Sequence, residues 1–342
     1  MKAAMYEGPN IMRIVDIPKP QPKAGEVLVK IKSCGICGSD VHGFLGLTGR
    51  RTPPMVMGHE FTAEIVELGA NLTRGFKVGD RVAPQPVVFC GECVNCQQGF
   101  THICLNKEFY GCLEVNGTLM EYLSVPEKLL YTLPDHVSYT YGALIEPLAV
   151  AYCAVMKLPS VEGKNVVVVG AGTIGLLIVK VLSILKPKSI IVSDLSDKRL
   201  AVAKEMGATH TINPEGKDIA TEVRKILGGE LADFALEAVG ATEPVRQAMS
   251  SLKSRGTCVW VGNSQRDITV NMQEAVTNEL KVVGTYIYTH EDYGKTIDFL
   301  ANNDLGLEAM TSKEITLDET PAMFEELAKN PDKYLKVVVS FD

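Results

Sequence analysis

Two patterns of hydrophobic and polar positions divide the chain near residue 160. Before it, short runs such as Glu26-Val-Leu-Val-Lys-Ile-Lys32 and Phe61-Thr-Ala-Glu-Ile-Val-Glu-Leu68 are separated by glycine- and proline-rich turns, Lys77-Val-Gly-Asp-Arg-Val82 among them. Runs of this kind bounded by turn residues read as strands, so this part is expected to be all-β and barrel-like. After residue 160, strands at 166–169, 190–193, 211–212, 233–237, 257–261 and 281–285 alternate with helices from 173, at 197–206, 218–227, 245–252 and 272–276. Six strands with intervening helices predict a doubly wound parallel sheet. Beyond residue 285 the rhythm breaks: a helix at 293–302, a strand at 313–317, a helix at 321–329 and a strand at 336–341 predict a return to the first part. The expectation is an α/β chain with a catalytic domain at 1–150, an inserted nucleotide domain at 151–285, and 286–342 completing the first.

Composition narrows the function classes. With 342 residues and 46% apolar positions, the chain is long enough for two separately cored domains. Its net charge is −7 and its Lys and Arg are interspersed with acids, so no basic stripe exists for a nucleic-acid partner. The most apolar stretch, 166–179, is shorter than a bilayer span and holds three glycines, which argues against a membrane anchor. The opening Met1-Lys-Ala-Ala-Met-Tyr-Glu-Gly-Pro lacks the apolar core of a secretion signal, so a cytoplasmic location is expected.

Chemistry enters with Cys90-Gly-Glu-Cys93-Val-Asn-Cys96 and Cys104, four thiols separated by two, two and seven residues. Thiolates suit Zn²⁺, and four of them fill a tetrahedron, which makes a structural zinc lobe at about 88–106 the expected reading. Two disulfides would need an oxidising compartment. In an iron–sulfur site the fourth thiol is more often followed by proline, and here Leu105 follows.

In the predicted parallel sheet, Val166-Val-Val-Val-Gly170-Ala-Gly172-Thr-Ile174-Gly175 ends a strand and opens a helix. Gly170 permits a tight turn, Gly172 lets the backbone approach a pyrophosphate, and Gly175 allows close helix packing. Asp194, nineteen residues past Gly175, is placed to accept hydrogen bonds from both adenosine ribose hydroxyls and to repel a 2′-phosphate, so NAD is expected over NADP. Arg199 reads equally as an adenine or diphosphate contact and as a solvated helix charge. Val239 and Val261, at the ends of two further strands, line the cofactor cleft by topology.

Cys37-Gly-Ser39-Asp40-Val-His42 and Gly58-His59-Glu60 complete the candidates. Cys37 and His59 supply two donors for a catalytic zinc, which needs about three protein ligands and one open position; Glu60 or a later carboxylate can complete the set. In this order, Cys-Gly-Ser-Asp-Val-His, Gly-His-Glu, the four-Cys lobe, Glu146-Pro-Leu, Gly-Ala-Gly-Thr-Ile-Gly and Asp194 resemble the zinc-dependent medium-chain alcohol dehydrogenases over nearly the whole chain. The resemblance is closest to the polyol branch, with sorbitol and galactitol-1-phosphate dehydrogenases, and threonine dehydrogenase nearby. It implies a GroES-like barrel plus a Rossmann domain, NAD, two zinc ions per chain, and a homo-oligomer, dimer or tetramer.

Residue by residue, the resemblance makes Cys37 and His59 anchoring ligands of a catalytic zinc, with Glu60 and Glu146 as alternative carboxylates beside it. Asp40 matches a residue orienting the His59 ring, and Ser39 and His42 match a proton relay. The implied reaction removes a proton through the relay and passes hydride from a secondary alcohol to nicotinamide, giving a ketone. A catalytically silent nucleotide-binding protein on this scaffold would be expected to lack Cys37, His59 or Ser39. A scaffold using only the four-Cys lobe would leave Asp194 and the glycine fingerprint without a purpose.

Two positions depart from sorbitol-type members: Gly43 stands where they carry Tyr after the relay His, and Ile287 where they carry Arg. Arg50 and Arg51, in Gly49-Arg-Arg-Thr-Pro-Pro, read as surface loop charges, or else as a phosphate or carboxylate pocket.

Overall fold

The computed structural model describes residues 1–341, which form two units, Met1–Glu146 with 288–341 and Pro147–Ile287. The first unit is built around the long strand Glu26–Ile36, paired antiparallel with Glu60–Leu68, Tyr122–Pro126 and Lys336–Ser340. Its inward positions Val27, Val29, Ile31 and Cys34 are fully buried, together with Ala63 and Ile65 of the neighbouring strand. A smaller antiparallel sheet joins Lys2–Gly8 to Ile11–Asp16 and Met55–Val56.

Register in the larger sheet positions the site. Gly35 lies opposite Glu60 on one side and Val338 on the other, so the strand Glu26–Ile36 ends between Glu60 and the chain around Lys336. It then runs directly into the helix Gly38–Phe44.

The second unit is a six-stranded, wholly parallel sheet in the spatial order His210–Ile212, Ser189–Ser193, Asn165–Val169, Ala232–Glu237, Leu252–Trp260, Lys281–Gly284. The order reverses between Asn165–Val169 and Ala232–Glu237, the switch point where such sheets take ligands. Valines 166 to 169 are buried on both faces, as a parallel central strand requires. Each fully buried valine contributes roughly 1.5–3 kcal/mol relative to exposure. Side chains of Ser196, Asp218 and Asn271 cap the helices that follow them by accepting a backbone N–H.

Helices depart from the predicted all-β texture, among them Gly38–Phe44 and the longer Ile145–Met156. In Ile145–Met156 the first eight residues include no consistently polar face and most are buried, so the period that marks an amphipathic helix is missing.

Candidate functional site

Cys37 sits at the N-cap of Gly38–Phe44, and Asp40, three residues on, accepts the Cys37 backbone N–H at 3.4 Å through Oδ2. Asp40 Oδ1 lies 3.5 Å from His59 Nδ1 and accepts a 2.7 Å bond from Arg51 Nη2. One fully buried carboxylate thus accepts from the Cys37 backbone and stands as an ion-pair partner beside His59. Burial opposes its charge, yet His59 and Arg51 hold the carboxyl far below the ordinary range. Burial likewise opposes a charged His59, but Asp40 and Cys37 raise it well above the usual value. With Nδ1 turned to Asp40, the other ring nitrogen is left for a metal.

The donor atoms of Cys37, His59 and Glu60 lie within 4.8 Å of one another. A thiolate, an imidazole and a carboxylate form a donor set that fits Zn²⁺ with one position open. Both Glu60 oxygens accept from Lys336 Nζ, at 2.9 and 2.7 Å, and the same ammonium donates to the Ile36 carbonyl at 3.2 Å. The approach is close: a Cβ on Gly35 would stand 2.2 Å from Glu60 Oε2. Glu146 is outside the three-donor set. It is buried, accepts a 2.7 Å bond from the Tyr288 hydroxyl, and is pushed up to about 7 by burial.

The relay candidates share the helix Gly38–Phe44. Ser39 Oγ donates to Cys37 Sγ at 3.3 Å and accepts from Arg51 Nη2 at 3.2 Å. His42, three residues on, is exposed.

Cys37 and the four lobe cysteines take part in no disulfide. In the lobe, sulfur separations are 3.9 Å for Cys90–Cys96 and Cys93–Cys104 and 3.5 Å for Cys90–Cys104. Backbone N–H groups of Cys90, Cys93 and Asn106 point at sulfurs, each at 3.3 Å. Backbone donors, Leu105 first, lower Cys93 to about 6, towards the thiolate a metal needs. Cys96 moves to about 12, because burial and the neighbouring sulfurs oppose another negative charge. A divalent cation relieves that opposition.

In the second unit, Gly170 has φ +97°, and a Cβ on Gly175 would stand 1.8 Å from the Gly170 carbonyl oxygen, whereas nothing lies within 4 Å of one on Gly172. The glycine roles differ accordingly: two are forced by the fold and one leaves room over the turn. Asp194 ties this turn to its own strand end, accepting from Ala171 N at 2.6 Å and Ser196 N at 2.8 Å. Ile174, Val239 and Val261 are half-buried around it; Val239 Cγ2 would stand 2.6 Å from a Cβ on Gly170. Arg199 is half-buried on the helix Asp197–Glu205.

Sequence reasoning missed Lys336, Tyr288 and the true place of Arg51. Arg51 is no surface charge: its side chain is 3% exposed and bound to Asp40. Lys336 carried one local sign, a lone cation heading the apolar run Lys336-Val-Val-Val. Its partner, 276 residues away, had none.

Residues 23–135 match the family described as Alcohol dehydrogenase GroES-like domain, and residues 173–302 match Zinc-binding dehydrogenase. Sorbitol dehydrogenase of Bacillus subtilis is 33% identical over 99% of this chain and 97% of its own. Galactitol-1-phosphate dehydrogenase of Escherichia coli superposes with a TM-score of 0.91 at 28% identity, covering 100% of both chains. An alcohol dehydrogenase of Escherichia coli CFT073, solved with NADH, gives 0.90 at 31% identity over 100% of this chain and 99% of its own. Identity that runs unbroken through both units exceeds what a shared fold alone would produce, and the chain belongs to the zinc-dependent medium-chain alcohol dehydrogenases, in their polyol branch.

Proposed function

We propose that this enzyme oxidises a free polyol or related secondary alcohol with NAD, and the reading rests on the braced donor set Cys37, His59 and Glu60. Zinc held there, with Glu60 or Glu146 as the carboxylate donor, supplies Lewis-acid polarisation of a hydroxyl, and nicotinamide supplies the hydride acceptor. The protein's own work is to take the proton. Ser39 Oγ, already held by Arg51, would take the proton as it gives up its own, and His42, exposed on the same helix, would pass a proton on to water. Asp40 keeps the His59 ring in one tautomer, and Lys336 offsets the Glu60 charge.

Because Arg51 is committed to Asp40, only Arg50 of the loop pair faces solvent. Free polyols are therefore expected to outperform their phosphates. Formation of reduced nicotinamide, followed by absorbance across polyols, polyol phosphates, threonine and simple secondary alcohols, tests this; a preference for phosphates would reverse the assignment.

Asp194 supports NAD as the cofactor. Asp194→Ser should raise the KM for NAD by roughly 10–100-fold, the equivalent of losing a charged hydrogen-bonding partner worth about 1.5–3 kcal/mol, and should narrow the gap to NADP. An unchanged NAD-to-NADP ratio of kcat/KM would remove Asp194 from that role.

A homo-oligomer fits the open edge strand Lys281–Gly284, where Val282 is exposed, and the preceding helix Met272–Thr277, which exposes Met272 and Val276. Lobe cysteines held as thiols rather than disulfides fit a reducing cytoplasm, and among the described residues no helix is long and apolar enough to cross a membrane.

A further inference from the structure

Arg51 is buried in a loop fixed from outside. The loop pairs with a distant segment through Thr52 N to Leu113 O at 3.0 Å and Leu113 N to Arg50 O at 2.8 Å. This pairing directs the Arg51 side chain along the helix Gly38–Phe44. Its stem crosses Gly43 so closely that a Cβ there would stand 2.4 Å from Arg51 Cγ. Its guanidinium then reaches Ser39 Oγ and Asp40 Oδ1 with the same nitrogen, while Nη1 donates to the Arg50 carbonyl at 3.3 Å.

We propose that Arg51 is a positioning residue of the dehydrogenase site, fixing the relay hydroxyl of Ser39 and the His59-facing carboxylate of Asp40 together, and that it does so in the space a side chain at position 43 would need. The proposal rests on Cys37 and His59 forming the catalytic metal site.

Three physical consequences support the role. A donor on Ser39 Oγ occupies one lone pair, so the hydroxyl has a defined direction for accepting a proton and for donating one. A cation on Asp40 lets that carboxylate orient His59 without leaving an uncompensated negative charge in a buried site. The contact with Gly43 makes a side chain at position 43 and the Arg51 stem compete for one space.

The test uses the holoenzyme with zinc, and with Co²⁺ exchanged into the catalytic site, whose absorption bands report the ligands' geometry. Arg51→Met should lower kcat per catalytic metal ion by roughly 10–100-fold, the range for residues that orient metal ligands, with the KM for NAD nearly unchanged and the cobalt bands shifted. Arg51→Lys keeps the charge but lacks the fork, so it should recover only part of kcat. If Arg51→Met, or Arg51→Lys where the former does not fold, has parental kcat per bound metal and parental cobalt bands, the proposal is overturned.

A second cycle tests the shared space. Gly43→Tyr alone should lose folded protein, and Gly43→Tyr with Arg51→Ala should recover it. Strict additivity of the two changes in thermal midpoint would overturn that part. Failure of the underlying metal assignment looks different: the parental cobalt bands would then be indifferent to Cys37→Ser.

Discussion

Cys37→Ser is expected to abolish turnover and remove one of two zinc ions, while the ion held by Cys90, Cys93, Cys96 and Cys104 stays. A hydroxyl is a poor substitute for a thiolate as a zinc donor, and Lewis-acid polarisation contributes several kcal/mol to such reactions, so the loss should be roughly a thousandfold or more. The fold should survive the change. Position 37 caps the helix Gly38–Phe44, and serine is among the best N-cap residues. Nucleotide binding should survive too, and can be followed by quenching of Trp260, the chain's single tryptophan, which ends a strand of the second unit. Metal analysis and turnover check the prediction together; turnover retained with one zinc lost would sink the assignment.

The second large effect concerns Lys336. Its ammonium and the Glu60 carboxylate are each at least 98% buried, with side-chain exposures of 2% and 1%. Breaking such a pair from one side leaves a buried charge unpaired and typically costs about 3–5 kcal/mol. Lys336→Met should therefore lower the urea midpoint of the enzyme substantially. The double variant Lys336→Met, Glu60→Gln should recover much of the loss, since it removes the orphaned charge. A single variant as stable as the parent would show that the pair does not carry this burden.

Lys336 and Arg51 also mark where the sequence stops being readable. The second unit was legible because its signals are local. Strand Asn165–Val169 is a continuous apolar run, its turn announces itself in glycines, and caps such as Ser196 and Asp218 stand within three residues of the N–H groups they accept. Cys37, Asp40 and His59 were legible as motifs whose spacing is itself local, or nearly so.

Burial of a charge follows a different logic. Arg51 sits among Gly, Thr and Pro in a segment that looks solvated, and its pairing with Leu113 and its contacts with Gly43 and Asp40 come from parts of the chain a local reading does not reach. The carboxylate waiting for it, Asp40, carries no mark in the sequence of needing a cation. Lys336 and Glu60 meet across 276 residues because strand register rather than chain proximity joins them, and Tyr288 and Glu146 meet across 142, from a loop and the first turn of a helix. The helix Ile145–Met156 escaped for another reason, its apolar residues covering too much of its circumference to leave a period.

The separation between Glu60 and Lys336 also sets an order in time. At about 5–20 residues per second, a ribosome that has just made Glu60 needs roughly 15–55 s to reach Lys336. Every residue of Pro147–Ile287 is synthesised in that interval. The dinucleotide-binding unit can therefore complete its own sheet while the nascent metal site still lacks its lysine, and the host that encloses it in sequence is the later of the two to close.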